Sequence, residues 1–97
     1  MNSVHSKPVL IEKEQVRRFS FPSEEVLSST EEIARRRNDL SRALILGNVD
    51  HHKVKIIFQD SENLKMVETT IWAVTDTRII LKSGTVIPIN RIVEIIH

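Results

Sequence analysis

Residues 53–97, KVKIIFQDSENLKMVETTIWAVTDTRIILKSGTVIPINRIVEIIH, decide the fold. Val54, Ile56 and Phe58 alternate with Lys53, Lys55 and Gln59, and apolar residues recur through Ile71, Trp72, Val74, Ile79, Leu81, Val86 and Ile92. Bounded by Ser61-Glu62-Asn63, Thr75-Asp76-Thr77 and Ser83-Gly84, this pattern predicts short strands joined by turns. Five strands are expected, at about 53–60, 64–74, 78–82, 85–87 and 91–96. Pro88 cannot donate to a ladder, so it ends the fourth strand or lies on an edge. Ten isoleucines and five valines crowd this stretch. Adjacent apolar pairs (Ile56-Ile57, Ile79-Ile80, Val86-Ile87, Ile92-Val93, Ile95-Ile96) occupy both parities, whereas a sheet solvated on one face alternates more cleanly. Cover for the second face is therefore expected, from the preceding helix or from another subunit.

Upstream lies a helix of about 30–46. Ser29 and Glu32 form a capping box, and Ile33, Leu40 and Leu44 share one face with Ala43 beside them. Glu31 and Glu32 each sit four residues before an arginine, Arg35 and Arg36. Ser23, followed by Glu24 and Glu25, is an alternative start. Gly47 and Asn48 suit the left-handed conformation that ends many helices. Before the helix, Val9, Leu10, Ile11, Val16, Phe19 and Phe21 follow no period. Residues 1–22 read as a flexible arm ahead of one domain, 23–97; Phe19 and Phe21 suit docking onto the chain's own core or onto a partner.

The 97 residues allow one small domain, and 14 basic against 13 acidic residues leave a net charge of +1. Neither half is a polycation: residues before Gly47 include 8 basic and 7 acidic, and those after it 6 and 6. General attraction to nucleic acid or anionic membrane is not implied. There is no cysteine, hence no disulfide framework and no thiolate chemistry. The first nine residues lack the layout of a signal peptide, and no apolar run reaches membrane-spanning length. A cytoplasmic protein without a membrane role is expected.

A capped helix followed by five short strands, the second long and bent, resembles the Sm-like family of Hfq type. The likeness covers roughly residues 30–96. It rests on Val54-Lys55-Ile56, on Asp76 after the second strand, on Ile79-Ile80-Leu81-Lys82 and on Ile89-Asn90-Arg91-Ile92-Val93. It implies an α+β, mainly β fold: an N-terminal helix and a five-stranded, strongly bent antiparallel barrel of SH3/Sm type. It also implies RNA as a ligand. The family's tyrosine-lysine-histidine signature is absent, with Pro88, Ile89 and Asn90 near those places. Thr77 and Arg78 stand where a polar–aromatic pair would contact uridines. A second resemblance, to bacterial PH-like domains, spans residues 74–95 and rests on Val74-Thr75-Asp76-Thr77-Arg78-Ile79-Ile80.

Candidate RNA or ligand contacts are Asp76, Thr77, Arg78, Asn90 and Arg91, although finishing turns is the simpler role for such residues. Arg35, Arg36, Arg37 and Arg42 form the densest basic cluster, interleaved with Glu31, Glu32 and Asp39 in the manner of a salt-paired solvent face. Phe58 and Trp72 are both expected in the core. Asp50-His51-His52 is the sole histidine cluster, and adjacent residues seldom turn to one ion, so no metal is expected. No glycine-rich phosphate loop or acid–base pair of recognisable spacing occurs. The sequence thus points to a non-enzymatic binding or regulatory module that self-associates, without catalytic residues, cofactor or small-molecule substrate. Its further partner is RNA or a protein of the transcription and RNA machinery; the alternative is a protein-interaction or structural module with no nucleic-acid role.

Overall fold

Ser29 fixes where the helix begins. Its hydroxyl accepts the Glu32 N–H at 3.0 Å and donates to Glu32 Oε1 at 3.1 Å, which satisfies a donor that the helix itself leaves open. In the computed structural model, which describes residues 7–97, helix α1 runs Thr30–Asp50. It does not stop at Gly47-Asn48. His51 ends it in the left-handed conformation (φ 54°), with the N–H groups of His51 and His52 on the carbonyls of Gly47 and Leu46. Gly47 serves packing instead. A Cβ there would sit 2.6 Å from the Ile71 carbonyl oxygen and 3.0 Å from Thr70 Cγ2, so only glycine lets the helix rest directly on the strand beneath it.

Among the described residues, seven strands follow one another as β1 (Val9–Ile11), β2 (Val54–Gln59), β3 (Leu64–Thr69), β4 (Ile71–Val74), β5 (Arg78–Leu81), β6 (Val86–Pro88) and β7 (Ile92–Ile96). One sheet has the order β1-β3-β2-β7, with β1 parallel to β3 and the rest antiparallel. The other is antiparallel in the order β4-β5-β6. This corrects the expectation of a helix followed by a five-stranded barrel: the fold is α+β, but its strands form two sheets and neither closes. The reason lies partly at Thr70. Thr69, Thr70 and Ile71 are all buried, a run that a regular alternating strand does not accommodate. Thr70 Oγ1 donates to the His51 carbonyl at 3.3 Å, and its carbonyl accepts the Lys82 N–H at 3.0 Å. The expected long second strand is thereby divided, β3 into one sheet and β4 into the other. The second reason is β1, which precedes the helix and adds an edge that residues 53–97 do not contain.

Val54, Ile56, Phe58, Val67, Ile71, Ile79, Leu81, Ile87 and Ile92 form the core with Leu40 and Ala43 from α1 and Val16 from the 3-10 helix Lys13–Arg18. Helix α1 lies against β4 and β7, and the 3-10 helix against β3 and β6. Phe19 and Phe21 pack on Phe58 with ring centroids 6.3 and 5.9 Å apart. The stretch expected as an arm is therefore, from Val9 to Phe21, seated on the chain's own core; the part before Lys7 lies outside the described residues. Burying Val16 contributes about 1.5–3 kcal/mol, and with Ile11, Phe19 and Phe21 on the core and the pairing of β1 with β3 it offsets the cost of ordering the segment. Of each adjacent apolar pair, one member enters the core while Ile57, Ile80 and Val93 are half-buried and Val86 and Ile96 exposed.

Candidate functional site

Three of the charged or polar side chains singled out in the sequence tie the backbone together. Arg36 is buried and forms a two-pronged pair with Glu25, 2.6 Å to Oε1 and 2.7 Å to Oε2, and reaches the Ile92 carbonyl at 2.9 Å. Those hydrogen bonds from Arg36 hold the Glu25 carboxyl below its ordinary value, outweighing partial burial, with help from the Leu27 N–H. Arg91 is likewise buried, its Nε on the Gln59 carbonyl at 3.0 Å and its Nη1 on the Glu24 carbonyl at 2.7 Å. The Asn90 amide donates to the carbonyls of Ser23 and Glu24. Together they strap residues 23–25 across the start of β7. A fourth clamp closes the β2–β3 hairpin, where Lys65 Nζ lies 2.6 Å from Asp60 Oδ2 and 4.5 Å above the Phe19 ring. Burial raises the Asp60 pKa, but the Lys65 contact and the N–H groups of Asn63 and Glu62 outweigh it and hold the group low.

Asp76, Thr77 and Arg78 are exposed where β4 turns into β5. The Thr75 hydroxyl organises that turn by accepting the N–H of Thr77 at 3.3 Å and of Arg78 at 3.0 Å. The Thr77 carbonyl accepts the Ile89 N–H at 2.9 Å, so the backbone brings both groups of predicted contact residues side by side. Their side chains then part. Asn90 and Arg91 are engaged with the strap. Asp76 lines a groove of about 470 Å³ against α1 with Arg37, Leu40 and Val74, whereas Arg78 lines a different groove. The basic cluster also disperses, because successive helical residues lie 100° apart. Arg36 turns inward, Arg37 borders the Asp76 groove, Arg35 borders a third beside Leu27 and Val93, and Arg42 is exposed.

Trp72 is the residue that sequence reasoning misplaced. Ile71 pairs with Leu81 but Ala73 pairs with Ile80, so the register shifts at Trp72. An extra residue of this kind re-aims a side chain, and Trp72 is 51% exposed rather than in the core. Paired residues on adjacent strands share a face. Ala73, Ile80 and Val86 therefore align across β4, β5 and β6, with Arg78 and Pro88 paired in the next row. Exposed Lys82, of the same parity as Arg78 and Ile80, bounds the other end. The sole sequence signal was the unbroken apolar run Ile71-Trp72-Ala73-Val74, which carries no parity.

No protein-family model matches the chain, and neither the curated proteins nor the solved structures give a significant match. Among the described residues, no three metal-ligating side chains converge, and no helix is long and apolar enough to cross a membrane.

Proposed function

We propose that the chain is a non-enzymatic binding module of the cytoplasm whose ligand face is the outer side of the three-stranded sheet and whose ligand is single-stranded RNA. One observation carries the reading: the bulge in β4 presents Trp72 to solvent beside the apolar row Ala73, Ile80 and Val86, with Arg78 and Lys82 bordering it. Sequence-tolerant binding of single strands needs an exposed ring for base stacking and cations for the backbone. The Sm-like resemblance points to the same ligand class, but by analogy alone, and its positions Asn90 and Arg91 are occupied by the strap. The test is a titration with short adenine- and uridine-rich RNAs, following Trp72 fluorescence at low and high salt. Saturable quenching that weakens with salt is expected. Trp72→Ala, read by anisotropy of labelled RNA, should lose about 1–3 kcal/mol of binding. No saturable signal at low salt would refute RNA as the ligand, leaving the protein-interaction reading; a pull-down with and without ribonuclease then seeks a protein of the transcription and RNA machinery.

A second surface favours self-association. Val9 and Leu10 of β1 are 47% and 67% exposed, and the strand Val9-Leu10-Ile11 holds neither charge nor proline. As an edge strand, β1 presents backbone N–H and C=O groups that a second copy can pair with. The other edges are guarded: β6 ends in Pro88 with the 3-10 helix against it, β4 has Gly47 of α1 on the Ile71 carbonyl, and β7 has α1 alongside and Arg36 on the Ile92 carbonyl. A second copy joined along β1 would extend the four-stranded sheet. Size-exclusion chromatography with light scattering should find a dimer that Leu10→Lys turns into a monomer; a wild-type monomer at high micromolar concentration refutes this.

A further inference from the structure

A groove lies between the 3-10 helix and the β5–β6 hairpin, adjoining the Trp72 face at Arg78 and Val86. It has a volume of about 670 Å³, within the range of roughly 300–1,000 Å³ typical of small-ligand sites. Its lining mixes apolar and aromatic residues (Val16, Phe19, Phe21, Val86, Pro88) with Ser83 and Thr85, and Arg17 and Arg78 both border it. Neither guanidinium has a side-chain hydrogen bond or ion pair with another described residue, in contrast to Arg36 and Arg91. Glu14, one turn before Arg17, is already paired with Lys13 at 3.3 Å. Two guanidiniums without a side-chain partner among the described residues thus border one groove, and the planar fork of arginine matches the oxygens of a phosphate.

We infer that this groove holds a nucleoside phosphate, the phosphate between Arg17 and Arg78 and the nucleoside against Phe21 and Pro88. A peptide strand suits the place poorly: Pro88 has no N–H, so β6 cannot offer it a continuous ladder. The nucleoside phosphate is either free or one link of an RNA strand crossing the neighbouring sheet face. The second source rests on the RNA reading above; the first does not.

The test uses the full chain, isotopically labelled, titrated with adenosine 5′-monophosphate, adenosine, inorganic phosphate and hexaadenylate. The mononucleotide or the hexamer should shift the Arg17 and Arg78 guanidinium signals and the Phe21 ring signals saturably. Inorganic phosphate and adenosine should each bind at least about tenfold more weakly, since each has half of the contacts. Arg17→Ala and Arg78→Ala, both at exposed positions, should each weaken binding about tenfold. Groove shifts from the hexamer alone identify a strand as the source, and shifts from both identify a site for free nucleotide as well. Absence of groove shifts with both, or inorganic phosphate binding as tightly as the nucleotide, overturns the inference. Hexamer binding that survives Arg17→Ala but is lost in Trp72→Ala overturns the groove while leaving the RNA face, which does not use Arg17, intact.

Discussion

The outer faces of the two sheets both carry an apolar stripe but differ in electrical character. On the four-stranded sheet, Leu10, Met66 and Ile57 stand in register and continue to Glu94, and the neighbouring row pairs Glu68 with Lys55. Charges of both signs border that stripe. On the three-stranded sheet, Trp72, Ala73, Ile80 and Val86 run beside Arg78 and Lys82, both cationic. A face of mixed sign suits another copy of itself, whereas a cationic rim with an exposed ring suits a polyanion that offers flat bases. Composition alone hides this, because a net charge of +1 averages the two sides.

Exchanging the roles of the aromatic residues gives the largest expected effect. Phe58→Ala removes the ring at the centre of the core and should cost about 3–5 kcal/mol in urea unfolding. Next comes Arg36→Ala, which would leave Glu25 and the Ile92 carbonyl without their partner and unguard the β7 edge. Because Glu25 is partly exposed, the loss is put at about 2–4 kcal/mol. The same pair sets the acid response. Glu25 and Asp60 both have folded-state pKa values below their ordinary 4.5 and 3.8. The native state therefore holds fewer protons than the unfolded chain, and the stabilisation present above those values is lost as pH falls through the folded-state values. Urea midpoints should drop with acid in the wild type, and less steeply in Arg36→Ala.

Gly47→Ala tests the seating of α1 on β4, the strand that presents Trp72. Its methyl would meet the Ile71 backbone at 2.6 Å, and an overpacking cost of about 1–3 kcal/mol is expected in the same assay. The smallest effect should belong to Trp72→Ala, within about 0.5 kcal/mol of wild type in stability. A large loss of stability there would place Trp72 in the structural framework and remove it from the ligand face.

By itself the sequence determined the local features. The cap at Ser29, the helical face of Leu40 and Ala43 and the turns at Ser61–Asn63 and Ser83-Gly84 depend on neighbours a few residues apart, where periodicity and side-chain reach decide. Gly84 with φ +86° is one such local requirement. Tertiary structure alone decided that the second strand breaks at Thr70, that Val9–Ile11 joins β3, that Arg36, Asn90 and Arg91 hold residues 23–25, and that Trp72 faces water. Each of these depends on a contact between distant parts of the chain, such as Arg36 with the Ile92 carbonyl or Gly47 with Ile71. In an uninterrupted apolar run such as Ile71-Trp72-Ala73-Val74, parity carries no signal, so the register of the strand opposite chooses which side chain is buried.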